Sequence, residues 1–152
     1  MAHILVIDDD DIVAELVSGI LISEGHACGW VSNTREAEKL LSWRRPDLLL
    51  LDQNMPGETG GTLLKRLRGS PQFYDLPIIM LTAVQGVEDE QRAYYHGAQD
   101  YIRKPVNPKF LVWTVNQTLR ARAERPPHVA LEELADFEKR RREDDTPRRA
   151  FL

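Results

Sequence analysis

The chain is poor in what secreted and membrane proteins need. Among its 152 residues there is one cysteine, Cys28, which excludes an intrachain disulfide and any cysteine-rich zinc site. No apolar run approaches the ~18 residues that a membrane helix requires. The start, Met1-Ala2-His3 followed by Ile4–Ile7 and four aspartates, lacks the basic region and long apolar core of a signal peptide. These absences point to an intracellular, cytoplasmic protein with no membrane partner. Charge of one sign is also missing: 20 basic side chains face 24 acidic ones, for a net charge of −4. The balance is uneven. Residues 1–119 hold 11 basic and 16 acidic groups, and residues 120–152 hold 9 and 8. An acidic main body argues against direct nucleic-acid binding.

What is present is an alternation of short apolar runs and longer helical periods. Ile4–Ile7 reads as a buried strand. Asp11–Ser23 reads as a helix with Ile12, Leu16 and Ile20 on one stripe, Val13 and Val17 beside it, and Gly25 as a left-handed cap. Ala27–Val31 is a second strand, followed by a helix capped at Asn33 or Thr34 and running to Trp43. Leu48–Leu51 is the most apolar strand, hence central and covered on both faces. A turn-rich loop then leads to a helix over Thr62–Arg68. Pro77–Leu81 and Asp100–Ile102 are two further strands, separated by a polar helix over Val87–His96 that Gly97 closes. Asn107-Pro108 opens a last helix to about Ala123, with Leu111, Val115 and Leu119 on its buried stripe and Trp113 opposite. Five strands alternating with five helices imply a doubly wound α/β fold with a parallel sheet and right-handed crossovers. Pro126-Pro127 marks a boundary, so the expected division is a domain over 1–124 and a charged, partly helical extension over 125–152. In that extension Leu131, Leu134 and Phe137 lie at helical spacing, and Lys139–Arg142 reads as a solvated basic face.

The chemistry gathers at strand ends. The first strand ends in Asp8 and Asp9, the third in Asp52. In a parallel sheet these carboxylates meet at one rim, where they need a cation or a raised pKa to coexist. Hard oxygen ligands in an open crevice suit Mg²⁺. Thr82 and Lys104 follow the fourth and fifth strands, and Asn54 lies two residues after Asp52. This is a kit for phosphoryl transfer: Asp52 as nucleophile, a metal on the carboxylates, Lys104 as fixed cation and Thr82 as hydroxyl donor. His3, His26, His96 and His128 show no metal-ligand spacing and read as structural or surface groups. Cys28 reads as a small buried hydrophobe.

In order along the chain these residues resemble the receiver domain of two-component response regulators, of the kind found in single-domain chemotaxis regulators. Asp8-Asp9, Asp52, Asn54, Met55-Pro56 with Gly60, Thr82-Ala83, Tyr101 and Lys104-Pro105 each fall where that family has a motif. The resemblance covers about residues 3–122. It implies a flavodoxin-like sheet of order 2-1-3-4-5 and a cis peptide bond before Pro105. It implies Asp52 as phospho-acceptor, with Asp8, Asp9, Asp52 and the backbone carbonyl of Asn54 around the metal. It implies Thr82 and Tyr101 as switch residues. The partner it implies is a histidine kinase or histidine phosphotransfer protein. A downstream protein would read the face formed by the helix over 87–96, the fifth strand and the helix from Pro108. A homodimer through that last helix or the extension is a further expectation. Thr59 stands where the family often has aspartate, outside the metal shell. Val84 and Asn54 occupy the positions that set acyl-phosphate lifetime. The domain would catalyse only its own phosphorylation and dephosphorylation. Three rivals are an unphosphorylated receiver-like module, a receiver separated from a longer regulator, and a haloacid-dehalogenase-type phosphatase. The last needs a second aspartate where Asn54 stands.

Overall fold

The computed structural model describes residues 1–83 and 97–124. Five parallel strands form one sheet: β1 (His3–Ile7), β2 (Ala27–Val31), β3 (Leu48–Asp52), β4 (Ile78–Thr82) and β5 (Asp100–Arg103). Their spatial order is β2-β1-β3-β4-β5. Four described helices connect or follow them: α1 (Asp11–Ser23), α2 (Thr34–Trp43), α3 (Gly60–Arg68) and α4 (Pro108–Ala123). The helix expected over Val87–His96, Val84, His128 and the extension over 125–152 lie outside the described residues, so the division at 124/125 stands as a proposal.

Period-two alternation along the strands builds two cores. Leu5, Ile7, Leu49, Leu51, Ile78 and Met80 point to one face, where α2 and α3 supply Ala37, Leu41, Leu63, Leu64 and Leu67. Ile4, Val6, Leu48, Leu50, Ile79 and Leu81 point to the other, against Ala14, Val17 and Leu21 of α1 and Leu111 and Val115 of α4. Every residue of β3 is buried, which is why its apolar run shows no alternation in the sequence.

The caps follow local chemistry. Asp10, Asn33, Thr59 and Asn107 each accept a backbone N–H of the first turn that has no intrahelical partner. Gly25 has φ +90°, the left-handed conformation expected where α1 stops. The thirteen-residue α1 departs from its expected stripe. Ile12 is 79% and Leu16 51% exposed, while Ala14, Val17, Ser18 and Leu21 face inward. The helix is apolar nearly all round, so side-chain size did not mark the buried face. Small Ala14 and Ser18 let α1 lie close to its neighbours, and the Ser18 hydroxyl donates to the Cys28 carbonyl at 3.4 Å. Cys28 itself is half-buried rather than buried, and burial pushes its thiol pKa up. The helix α3 begins two residues before the expected Thr62, because Thr59 rather than a later residue caps it.

The rim at the amino ends of the strands is tied by guanidinium groups. Asp75 accepts from Arg45 at 2.8 Å and from Arg122 at 3.0 Å. Arg68 donates to the Gly97 carbonyl, to Gln99 Oε1 and to the Phe73 carbonyl at 2.8, 2.8 and 3.2 Å. Gln99 Oε1 also accepts the Ile78 N–H at 2.7 Å.

Candidate functional site

The opposite rim, at the carboxyl ends of the strands, gathers the charged residues. One carboxylate oxygen from each of Asp8, Asp9 and Asp52 lies within 4.8 Å of the others. Asp8 and Asp52 are buried and Asp9 is exposed. The pairing of β1 with β3 places Ile7 beside Leu51, so the residues that follow them emerge side by side. Lys104 reaches in from just beyond β5. Its Nζ lies 2.8 Å from Asp8 Oδ2 and 3.3 Å from Asp52 Oδ1. Its own N–H donates to the Thr82 carbonyl at 2.8 Å, which fixes the loop at the end of β4. The Lys104–Pro105 bond is cis.

Backbone groups orient the two buried carboxylates. Asp8 Oδ1 accepts the Asp10 N–H at 2.9 Å, and Asp52 Oδ1 accepts the Asn54 N–H at 3.3 Å. Asp8 Oδ2 has the ion pair with Lys104 but no aligned hydrogen bond. A buried anionic oxygen so placed retains capacity for a further electropositive partner. Three hard oxygen donors at this spacing fit a bound cation, with Asp9 on the open side.

Thr82 is buried at the end of β4 and Tyr101 is buried within β5. Tyr101 pairs with Met80 and packs in the core shared with α2 and α3. Asn54 is solvent-exposed. Gln53, which belongs to no motif in the sequence, joins β3 to α3. Its carbonyl accepts the Gly60 N–H at 3.1 Å and its side-chain Oε1 accepts the Gly61 N–H at 2.8 Å. Gln53 thus fastens the start of α3 to the end of β3, beside Asp52. Its only sequence signal was its position between Asp52 and Asn54, opposite the Gly60-Gly61 pair.

The electrostatics follow from burial. Desolvation is the largest influence on Asp52 and raises its pKa from 3.8 to about 7. The Asp8 charge and a hydrogen bond with Asp9 act in the same direction, while Lys104 and the Asn54 N–H oppose it. Burial lowers the Lys104 pKa, but the Asp8 and Asp52 carboxylates outweigh it and hold the ammonium above its ordinary value. A carboxyl with a raised folded-state pKa stabilises the fold below its unfolded pKa, and that contribution is lost as pH rises through the folded pKa. Without divalent cation, this group should therefore lower the folding stability as pH rises from about 4 to about 7, by up to ~1.4 kcal/mol per pH unit, and the thermal midpoint should fall with it. Mg²⁺ should flatten the profile. Melting curves across that range, with and without Mg²⁺, test this, and two coincident profiles would contradict it.

The fold and rim together define a class: doubly wound α/β proteins with an acidic crevice at the carboxyl ends of parallel strands. Comparison with known proteins narrows it. Residues 4–116 match the response regulator receiver domain. Over 118 residues the chain is 40% identical to the phosphate regulon transcriptional regulatory protein PhoB of Pseudomonas aeruginosa, covering 77% of this chain and 51% of that protein. A putative response regulator from Chloroflexus aurantiacus superposes with a TM-score of 0.75 at 36% identity, covering 78% of this chain and 98% of that one. The chemotaxis response regulator CheY4 of Vibrio cholerae gives 0.73 at 32%, with the same coverage. The chain belongs to the response regulator receiver domain family of two-component signal transduction. It spans about half the length of the curated relatives it matches. The family is that of a receiver domain, not a conventional enzyme. No helix among the described residues is long and apolar enough to cross a membrane.

Proposed function

We propose that the domain accepts a phosphoryl group on Asp52 and uses it to change a protein-interaction face. The observation that carries this reading is the meeting of Asp8, Asp9 and Asp52 within 4.8 Å, with the Lys104 ammonium bridging the two buried members. An Asp52 oxygen attacks phosphorus, the P–N bond of a donor phosphohistidine breaks, and the imidazole leaves with the bonding pair. The donor is a histidine kinase or histidine phosphotransfer protein, which places the event in the cytoplasm. Asp8, Asp9, Asp52 and the Asn54 carbonyl would hold Mg²⁺, which supplies charge neutralisation between the carboxylates and the incoming phosphoryl oxygens. Lys104 neutralises another phosphoryl oxygen and Thr82 donates its hydroxyl to a third. The pull on Thr82, followed by Tyr101, carries the change to the surface around β5 and α4, where a downstream protein reads it. Acetyl phosphate with Mg²⁺ should add one phosphoryl mass to the full chain, and EDTA should prevent it. No mass gain under either condition would refute the reading.

Lys104→Ala should slow this uptake at least tenfold, because a charge-assisted contact to the phosphoryl group is lost. From sequence alone its removal is expected to leave stability little changed. The ion pairs alter that expectation. Without the ammonium, Asp8 and Asp52 face one another uncompensated, so the metal-free variant should melt lower than wild type at neutral pH. Mg²⁺ should restore most of the loss. Phosphorylation time courses and paired melts measure both effects, and a wild-type time course would remove Lys104 from the chemistry.

A second reading has support in the names of the curated relatives, which are transcriptional regulators about twice as long as the matched segment. In it, residues 1–124 are the input module of a DNA-binding regulator. A gel-shift assay of the full chain, with and without acetyl phosphate, separates direct DNA binding from action through a separate protein.

A further inference from the structure

The first turn of α3 is held largely by a residue outside the helix. Backbone N–H groups at a helix start have no intrahelical acceptor. In α3 the Thr62 N–H goes to the Thr59 hydroxyl at 3.3 Å. The two before it both go to Gln53. The Gly60 N–H donates to its carbonyl at 3.1 Å, and the Gly61 N–H to its side-chain Oε1 at 2.8 Å. The glycine at 61 leaves that amide its place, since a Cβ there would stand 3.1 Å from Oε1. Gln53 in turn donates its own N–H to the Leu81 carbonyl of β4 at 2.9 Å. Its side chain therefore adds a second tie across the loop of residues 54–59, between the end of β3 and the start of α3.

That loop begins at Asn54, whose N–H donates to Asp52 Oδ1 at 3.3 Å. In the proposed function the Asn54 carbonyl joins Asp8, Asp9 and Asp52 around Mg²⁺. A carboxylate can turn on its own side chain, but a backbone carbonyl goes where its loop goes. Mg²⁺ demands near-ideal octahedral geometry, so a donor that wanders weakens binding. A ligand set ordered beforehand binds more tightly than one that must be ordered on binding. We propose that Gln53 is a positioning residue for the metal: the bond from the Gly61 N–H to its side chain pre-orders the 54–59 loop and so raises the affinity of the Asp8, Asp9, Asp52 and Asn54 set for Mg²⁺. This inference rests on the metal site of the proposed function. The Gln53 amide is neutral, so it acts through position and not through charge. Gln53 and Gly61 are both partly exposed. A Gly61 N–H without this acceptor can turn to water, so the bond contributes little to the stability of the fold.

The test titrates Mg²⁺ into the ¹⁵N-labelled full chain without a phosphoryl donor, following the amide signals of Asp9 and Asn54. Gln53→Met keeps the length of the side chain and loses the acceptor. Its dissociation constant for Mg²⁺ should rise about three- to tenfold, while its metal-free midpoint stays within about 3 °C of wild type. Uptake from acetyl phosphate should split the same way. The Mg²⁺ concentration for half-maximal rate should rise, and the rate at saturating Mg²⁺ should stay within about twofold of wild type. Thr59→Ala is the control, because it removes the other cap of the same helical turn and leaves the Gln53 tie in place. It should lower the midpoint and leave the Mg²⁺ affinity within about twofold of wild type. An unchanged dissociation constant in Gln53→Met would overturn the proposal. So would an equal loss of affinity in Gln53→Met and Thr59→Ala, which would reduce Gln53 to a cap of α3. A wild-type chain whose signals do not respond to Mg²⁺ would instead refute the metal site itself, and this proposal with it.

Discussion

Asp52→Asn should take up no phosphoryl group from acetyl phosphate, while melting higher than wild type in the absence of metal. The two effects have one origin. The carboxylate is the nucleophile of the proposed reaction, and its amide isostere has no anionic oxygen to attack phosphorus. The same carboxylate is a nearly buried anion beside Asp8, with a pKa of about 7. Replacing it with a neutral group of the same shape removes both the desolvation cost and the repulsion. At pH 8 the metal-free variant should gain on the order of 1–3 kcal/mol, since each pKa unit corresponds to ~1.4 kcal/mol and Lys104 loses a partner in the exchange. The midpoint should rise by several degrees. Saturating Mg²⁺ should narrow the difference, because wild type binds it more tightly. Intact mass and melting curves decide the two halves separately. A phosphoryl gain on Asp52→Asn would move the acceptor to another residue, and a lower metal-free midpoint would contradict the electrostatic account.

Gly60→Ala should be the most damaging conservative change near the site. A Cβ at Gly60 would sit 2.1 Å from the Asp52 carbonyl oxygen, 2.9 Å from its carbonyl carbon and 3.2 Å from Gln53 Cα. All three neighbours are backbone, so no rotamer change relieves the overlap. Either α3 withdraws or the end of β3 moves, and the second displaces Asp52. The cost should be about 3 kcal/mol or more, or roughly 10 °C in midpoint, with slower phosphorylation of whatever remains folded. Gly61→Ala is the control. Its Cβ would meet only the side chain of Gln53, nearest at 3.1 Å, and that side chain can turn away. A small, equal loss at both positions would mean that the contact between β3 and α3 yields more readily than the geometry implies.

The sequence exposed the sheet and the acidic rim because both depend on short-range pattern. Apolar runs that stop at Asp8 and Asp52 mark strand ends, and parallel pairing alone brings those ends together. The cap at Asn107 and the turn at Gly25 were equally local. The stripe of α1 was not legible, since Ile12 and Leu16 are larger than Ala14 and Ser18 yet lie outside. Which face of an apolar helix turns inward depends on how closely it approaches β2 and α4, a tertiary property. The same holds for Gln53 and Lys104. That Lys104 supplies a positive charge follows from its type and position, but its simultaneous contact with Asp8 and Asp52 depends on β5 lying beside β4. The role of Gly60 was visible only as a loop glycine until the β3–α3 contact showed what a methyl group would strike.

The guanidinium ties at the amino ends of the strands bear on how a signal travels. Arg68 holds the Phe73, Gly97 and Gln99 acceptors, and Asp75 is shared by Arg45 and Arg122. These links join loops from both sides of the sheet into a fixed floor. The opposite rim is built from loops around a charge cluster whose balance changes when a cation or phosphoryl group arrives. The molecule therefore resembles a clamp tied at one end, and a disturbance at Asp52 is expected to leave that tied end in place. Amide hydrogens around Ile78 and Gln99 should then exchange at the same rate before and after phosphorylation, giving a built-in zero against which movement elsewhere can be read.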